Sequence, residues 1–246
     1  MSTLIAPERA PRTGGLESPP TRARESFLAS NARTLLAASG FVMLGFVVVH
    51  LAGNLLTFAG AAPFNAYARW LREVGSPLMP ESGLLWVARV VLAGALAAHL
   101  ASHLYLMTHP DALSGPALGP FDPMPPWYAT LPVGVFQVSG ALIAAFVAFH
   151  LAQLTIGAIH PAFIAAGRYD ETLVALRFWP VSVAYIGAAM AVGMHVLPGT
   201  WTGLRSLGLI RPRTAGLASI LSPAVALVLT FGLSAVPLAV LLGVLR

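Results

Sequence analysis

The chain has 246 residues, 57% of them hydrophobic and 9% charged, with a formal net charge of +5. A soluble domain carries about 25% charged residues, so this composition excludes one and indicates a polytopic membrane protein. Its basic residues are all arginine and form no basic stripe, which argues against nucleic acid as a partner, while the absence of cysteine excludes disulfides, thiolate metal sites and protein-ligated iron-sulfur clusters.

Residues 1–30 are rich in Pro, Arg, Ser and Glu and lack the apolar core of a cleavable signal peptide. They read as a cytoplasmic N-terminal tail, leaving 31–246 as the membrane domain. The first apolar run, about Leu35 to Gly60, is long enough to cross a hydrocarbon core of ~30 Å and contains His50 and Asn54. Pro63 to Gly83 is more polar and predicts a short surface helix with one apolar face. A second run, Leu84 to about Met107, carries Arg89, His99 and His103 and stops at His109-Pro110. After a loop rich in Pro and Gly that reaches Tyr128, the third run covers about Leu131 to Ile159, contains His150 and ends at His160-Pro161. The stretch AGRYDETLVALRF reads as a polar loop. It leads to a fourth run, about Trp179 to Leu197, with His195 near its end. A connector carrying Arg205, Arg211 and Arg213 precedes the fifth, about Ile220 to Leu245. The expected fold is therefore all-α, an integral membrane bundle of five transmembrane helices. Arginine is denser in the tail and the last connector than in the other flanks, so the positive-inside rule sets the N-terminus in the cytoplasm.

One stretch occurs twice. Ser39-Gly40 is followed, after nine apolar or small residues, by His50, and Ser139-Gly140 is followed in the same way by His150. The step from serine to histidine closes about three helical turns, so both lie on one face roughly 16 Å apart. An imidazole left unpaired in hydrocarbon is costly, so each histidine needs a partner. Alternating span direction supplies one. His50 and His150 lie late in spans one and three, toward the outer side, whereas His99 and His195 lie late in spans two and four, toward the inner side. The four fall into an outer and an inner pair, separated along the membrane normal by roughly 13 Å of helical rise.

Two imidazoles on facing helices are the axial ligands that a b-type haem needs. The residues therefore predict two stacked haem b groups, held non-covalently because no cysteine is present. His50 and His150 would ligate the outer iron, His99 and His195 the inner one. Gly40, Gly45, Gly140 and Gly199 would remove side chains where a macrocycle presses against a helix. His103, one turn after His99, is a competing ligand, and the two together have a spacing that zinc also accepts, although the segment carries no carboxylate. Arg89 sits near the outer histidine level, where it either pairs with a haem propionate or snorkels to the headgroups. His109 and His160, each before a proline at a span end, read as solvated.

A family resemblance rests on these residues. His50-Leu51-x-x-Asn54 with Phe64-Asn65, Gln137-x-Ser139-Gly140 leading to His150, and His195 followed by Gly199, Trp201 and Gly208 are the pieces that carry it. Together they resemble the five-span, di-haem cytochrome b membrane anchor of succinate dehydrogenases and fumarate reductases, the complex II family that works with menaquinone. Roughly residues 35–245 are covered; His103 and Pro198 depart from the pattern. The resemblance implies the same ligand pairing, with flavoprotein and iron-sulfur partner subunits on the cytoplasmic side of a bacterial inner membrane. It also implies electrons passing from the iron-sulfur subunit through both haems to menaquinone, or the reverse. Glu73 occupies a place where the family can have a quinone-site glutamate, which makes it a candidate proton donor to quinone; a solvated interfacial carboxylate is the other reading. Two competing functions are a cytochrome b subunit of a formate dehydrogenase or hydrogenase, with a different motif order, and a histidine-gated transporter. Transporters of that kind usually show broken helices or paired intramembrane carboxylates, and no Asp or Glu lies in the five runs.

Overall fold

The computed structural model describes residues 19–109, 125–132, 134–159 and 167–245. His160 and residues 1–18 of the expected tail lie outside the described residues. Among the described residues the chain folds into seven α-helices and no strand: α1 (Pro19–Leu55), α2 (Ala61–Glu73), α3 (Gly83–Thr108), α4 (Val135–His150), α5 (Arg168–Arg177), α6 (Trp179–Ser206) and α7 (Ala215–Leu241). A 3-10 turn, Leu56–Ala59, extends α1, another, Pro126–Thr130, precedes α4, and a π-helical turn, Leu151–Ile156, continues it.

Five segments are long and apolar enough to cross a membrane: Phe27–Ala59, Gly83–Thr108, Val135–Ile156, Trp179–Ser206 and Ala215–Leu241. Even the 22-residue third segment reaches about 33 Å at helical rise, past a core of ~30 Å. Apolar runs of this length fold as helices because lipid offers the backbone no hydrogen-bond partner. The expected five-span, all-α architecture is therefore the one that forms.

Its boundaries differ from the expected ones in instructive places. α1 begins at Pro19, inside the expected tail, where a proline suits the first helical turn and Ala, Arg, Glu and Leu then favour propagation. α6 continues through Pro198 to Ser206. Beyond that proline, Thr202 Oγ1 donates to the Pro198 carbonyl at 2.9 Å, and buried Trp201 packs against Trp127 with ring centroids 6.4 Å apart. The expected polar loop AGRYDETLVALRF is largely α5. Asp170 and Glu171 sit in its first turn, where the helix dipole favours negative charge, and Leu173 and Leu176 form an apolar stripe one turn apart. Both leucines are at most 3% exposed, packed with Val236 and Val240 of α7.

The most extensive helix contacts are α6 with α7 and α1 with α3, followed by α4 with α6 and α1 with α6. Lipid tails are as apolar as the helices, so close packing depends on small residues that let backbones approach. Gly193 supplies one such contact: a Cβ there would overlap Thr230 Oγ1, which donates to the Ala226 carbonyl at 2.8 Å. Gly232 makes another, where an added Cβ would stand 2.8 Å from Leu51 Cδ1. At the far end of α1, α2 is tied to α5 by the Tyr169 amide, which donates to Asn65 Oδ1 at 3.1 Å.

Gly193→Ala is expected to destabilise the bundle by about 1–3 kcal/mol through overpacking, seen as a lowered thermal midpoint in detergent. Adding Thr230→Ala to the same chain should recover most of the loss.

Candidate functional site

The helices bring the four intramembrane histidines together as two pairs. The His50 and His150 rings have centroids 5.9 Å apart with planes at 82°, and the His99 and His195 rings have centroids 6.2 Å apart with planes at 57°. These are the pairs that alternating span direction predicts. The rings meet across helices that are not closely packed, since neither α1 with α4 nor α3 with α6 is among the main helix contacts.

The repeated Ser-Gly pair has a role that its sequence setting does not reveal: on each helix it seats the histidine of the other layer. A Cβ on Gly40 would stand 3.3 Å from His99 Cε1, and one on Gly140 would stand 3.5 Å from His195 Cε1. These two glycines therefore face an imidazole. Gly199 faces the Phe136 ring, and only Gly45, with no atom within 4 Å of an added Cβ, leaves open space beside α1. Ser39 Oγ lies 3.3 Å from His99 Nδ1, and Ser139 Oγ lies 3.1 Å from His195 Nδ1. Each hydroxyl donates its own proton one turn back, Ser39 to the Leu35 carbonyl at 2.6 Å and Ser139 to the Val135 carbonyl. A hydroxyl has one proton, so each serine accepts from the ring Nδ1–H. The Leu36 carbonyl, 3.1 Å from His99 Nδ1, also only accepts. The proton is thereby held on Nδ1, and Nε2 keeps its lone pair.

In the other pair, His150 reaches the same state by another route. His150 Nδ1 lies 3.0 Å from Tyr185 Oη, whose own proton goes to Gln153 Oε1 at 3.0 Å. The phenol therefore accepts from His150 Nδ1–H, again leaving Nε2 open. Phe46 stacks on His50 at 5.4 Å and Phe146 on His150 at 5.8 Å, which walls the pair with apolar rings.

The separation of the layers follows from α1 itself. Gly40 lies against His99, and His50 comes ten residues later on the same helix, a rise of about 15 Å. Gly140 and His150 repeat this on α4, so α1 and α4 run in the same direction and the layers are spaced close to the expected distance.

Two imidazoles are too few to hold a bare ion, which takes about four protein ligands in a closed site. Among the described residues no group of three or more His, Cys, Asp or Glu side chains converges. Two rings on opposite sides of one first-row ion, each bonded at about 2 Å, have centroids roughly 6 Å apart, and both observed pairs match. The arrangement fits a group that brings its own equatorial ligands, takes one nitrogen from each side and occupies the space between non-packed helices.

Other candidates lie elsewhere. Arg89 is exposed on α3 and stacks over the Trp86 ring, 4.7 Å from its centroid, rather than reaching a histidine pair. His103 is half-buried one turn after His99 and pairs its ring with no other histidine among the described residues. His109 is exposed and holds the Tyr105 carbonyl at 2.9 Å. Glu73 is exposed at the last position of α2 and makes no side-chain hydrogen bond or ion pair among the described residues. At the opposite end of the bundle, a cleft of ≈ 240 Å³ opens between Tyr128, Pro132, Phe136, Gln137 and Pro198. Phe136 meets the His195 ring edge-on at 5.5 Å, so the cleft adjoins that pair. Burial pushes the Tyr128 phenol above its usual range and Arg205 pulls it partly back, so the group is a protonated donor at neutral pH.

Tyr185 and Gln153 escape sequence reasoning. A signal for Tyr185 exists: it precedes His195 by ten residues on a span of opposite direction, which sets its hydroxyl about 15 Å away, at the level of His150. For Gln153 the deciding feature is the π-turn, which has no such arithmetic.

No protein-family model, curated protein or solved structure matches the chain.

An exposed cation–π contact contributes about 0.5–1 kcal/mol. Arg89→Gln is therefore expected to change the thermal midpoint only slightly and to leave both histidine pairs in place, as read by the histidine ring signals in solid-state NMR.

Proposed function

We propose that the chain is a di-haem cytochrome b, the membrane anchor and electron-transfer subunit of a succinate:quinone oxidoreductase. One observation carries this reading: two imidazole pairs meet at the spacing of axial ligation, each across a helix pair that does not pack closely. His50 and His150 would hold one haem b, His99 and His195 the other. When bound, each supplies a one-electron iron couple.

The remaining chemistry belongs to this chain's own residues. Ser39 and Leu36 accept the Nδ1 proton of His99, Ser139 that of His195 and Tyr185 that of His150, which fixes the tautomer of these three rings and raises the basicity of the nitrogen each would offer. Apolar spans exclude water from both layers, and the spacing along α1 and α4 extends the redox path through most of a bilayer. Without cysteine or a Gly-rich strand-helix unit the chain cannot hold clusters or flavin, so those belong to partner subunits. The family resemblance makes these the flavoprotein and iron-sulfur subunits, on the cytoplasmic side of a bacterial inner membrane, with menaquinone as the quinone. Arginine in the tail and last connector supports a cytoplasmic N-terminus, which sets the His99–His195 pair nearer those partners. On this reading the quinone head group enters the cleft beside Phe136, where the Tyr128 hydroxyl and Gln137 amide could bond its oxygens. Glu73, at the other end, would serve only a quinone bound on that side.

A reduced-minus-oxidised spectrum of the purified chain is expected to show two b-type haems; none would sink the proposal. Co-purification with a flavoprotein and a cysteine-rich subunit separates it from a formate dehydrogenase or hydrogenase cytochrome. His150→Ala should remove one haem and spare the other, while Gly140→Val, pressing a methyl group into the His195 ring, should disturb the one that His150→Ala spares. Both variants striking the same haem would refute the pairing.

A further inference from the structure

Arg89 is a permanent charge on an apolar face. Around it on α3, Trp86, Val87, Val90 and Val91 are each at least 47% exposed, and exposed apolar side chains along a segment able to cross a membrane face hydrocarbon. A guanidinium cannot shed its proton there, so it needs an anion or a path to the headgroups. The geometry supplies the path. α3 begins at Gly83, which sets Arg89 about 9 Å into the segment. Helical side chains lean toward the N-terminus, and the Arg89 guanidinium lies 4.7 Å from the ring centroid of Trp86, three residues nearer the membrane face. Stacking on a ring engages the charge without using the five N–H donors.

α2 brings the same chemistry to this end of the bundle. Its last turn meets the start of α3 where the Ser82 amide donates to the Arg72 carbonyl at 2.6 Å. Phe64, Tyr67 and Leu71 recur about one turn apart on its half-buried side, whereas Arg69, Trp70 and Arg72 are exposed. This is the pattern of a helix lying in a membrane interface. Glu73 and Glu81 are the carboxylates of the corner, and neither they nor the three arginines form an ion pair among the described residues.

We propose that this corner binds an anionic phospholipid: the Arg89 guanidinium, held on the Trp86 ring, bonds the headgroup phosphate, and Arg69 and Arg72 add positive charge in the same headgroup layer. A planar guanidinium matches two phosphate oxygens at once. The acyl chains continue along Val87, Val90 and Val91, a surface that a free phosphate ion cannot use. A lipid of net negative charge is preferred to phosphatidylcholine, whose own cation already sits beside its phosphate. Neither haem nor quinone enters this site, so its test is independent of the electron-transfer role.

The full chain in neutral detergent is titrated with phosphatidylglycerol, phosphatidylcholine or inorganic phosphate while the thermal midpoint is followed. A ligand that binds only the folded state raises that midpoint in step with its occupancy. Phosphatidylglycerol should therefore raise it at concentrations where the other two do not. Arg89→Gln should need about five-fold more phosphatidylglycerol for the same rise, the factor that one arginine near an anionic headgroup contributes. Arg89→Lys, which keeps the charge but not the fork, should fall between, and Arg69→Gln with Arg72→Gln should shift the response in the same direction as Arg89→Gln. Arg213→Gln, which alters an exposed arginine at the opposite end of the bundle, should respond as wild type does. The proposal is overturned if Arg89→Gln keeps the wild-type response, if phosphatidylcholine or inorganic phosphate raises the midpoint equally, or if Arg213→Gln loses as much.

Discussion

A neutral imidazole inside a membrane has two nitrogens to satisfy and almost nothing nearby to satisfy them, and much of this bundle is an answer to that constraint. Each Nδ1 described above finds an oxygen whose own proton is committed or absent: a serine hydroxyl bonded to its own helix, a backbone carbonyl, or a phenol bonded to an amide. What remains on each of those rings is the lone pair of Nε2, with the partner histidine's ring centroid 5.9 or 6.2 Å away. Once that geometry is imposed, the helices bearing a pair cannot close on one another, and the gaps between α1 and α4 and between α3 and α6 follow.

Something else must then hold the bundle together. That task falls to the seam between α6 and α7, where Gly193 lies against Thr230, to the contacts of α1 with α3 and of α4 with α6, and to the ends. α5 seals one end with Leu173 and Leu176. At the other, Trp127 donates its indole proton to the Ser219 carbonyl at 3.2 Å and packs on Trp201. The end contacts and the close packing of α6 on α7, α1 on α3 and α4 on α6 leave the helices that share a histidine pair, α1 and α4, and α3 and α6, apart.

Much of this was legible in the residues because it depends on length and count. Five apolar runs give five spans, and the positions of His50, His99, His150 and His195 along runs of alternating direction give two levels. The parts that were not legible depend on rotation and on local backbone choices. Arg89 lies near the right height, yet it turns outward to Trp86. Gly40 and Gly140 also stand against the neighbouring layer's imidazole, a contact that the spacing of the repeat alone does not announce. AGRYDETLVALRF reads as a loop because its charges dominate the average, although Leu173 and Leu176 already sit one helical turn apart. The π-turn at Leu151–Ile156, which sets Gln153, is a departure from regular geometry that no periodicity announces.

The repeated Ser-Gly-x9-His unit makes α1 and α4 into rulers. One end of each rod carries a histidine of one level and the other end carries the seat for the next, so the distance between levels is a tally of residues rather than a product of loop geometry. A single inserted residue between Gly40 and His50 would rotate one level against the other by about 100° and lengthen the interval by about 1.5 Å. Point changes are tolerable along such a rod, but insertions and deletions are not.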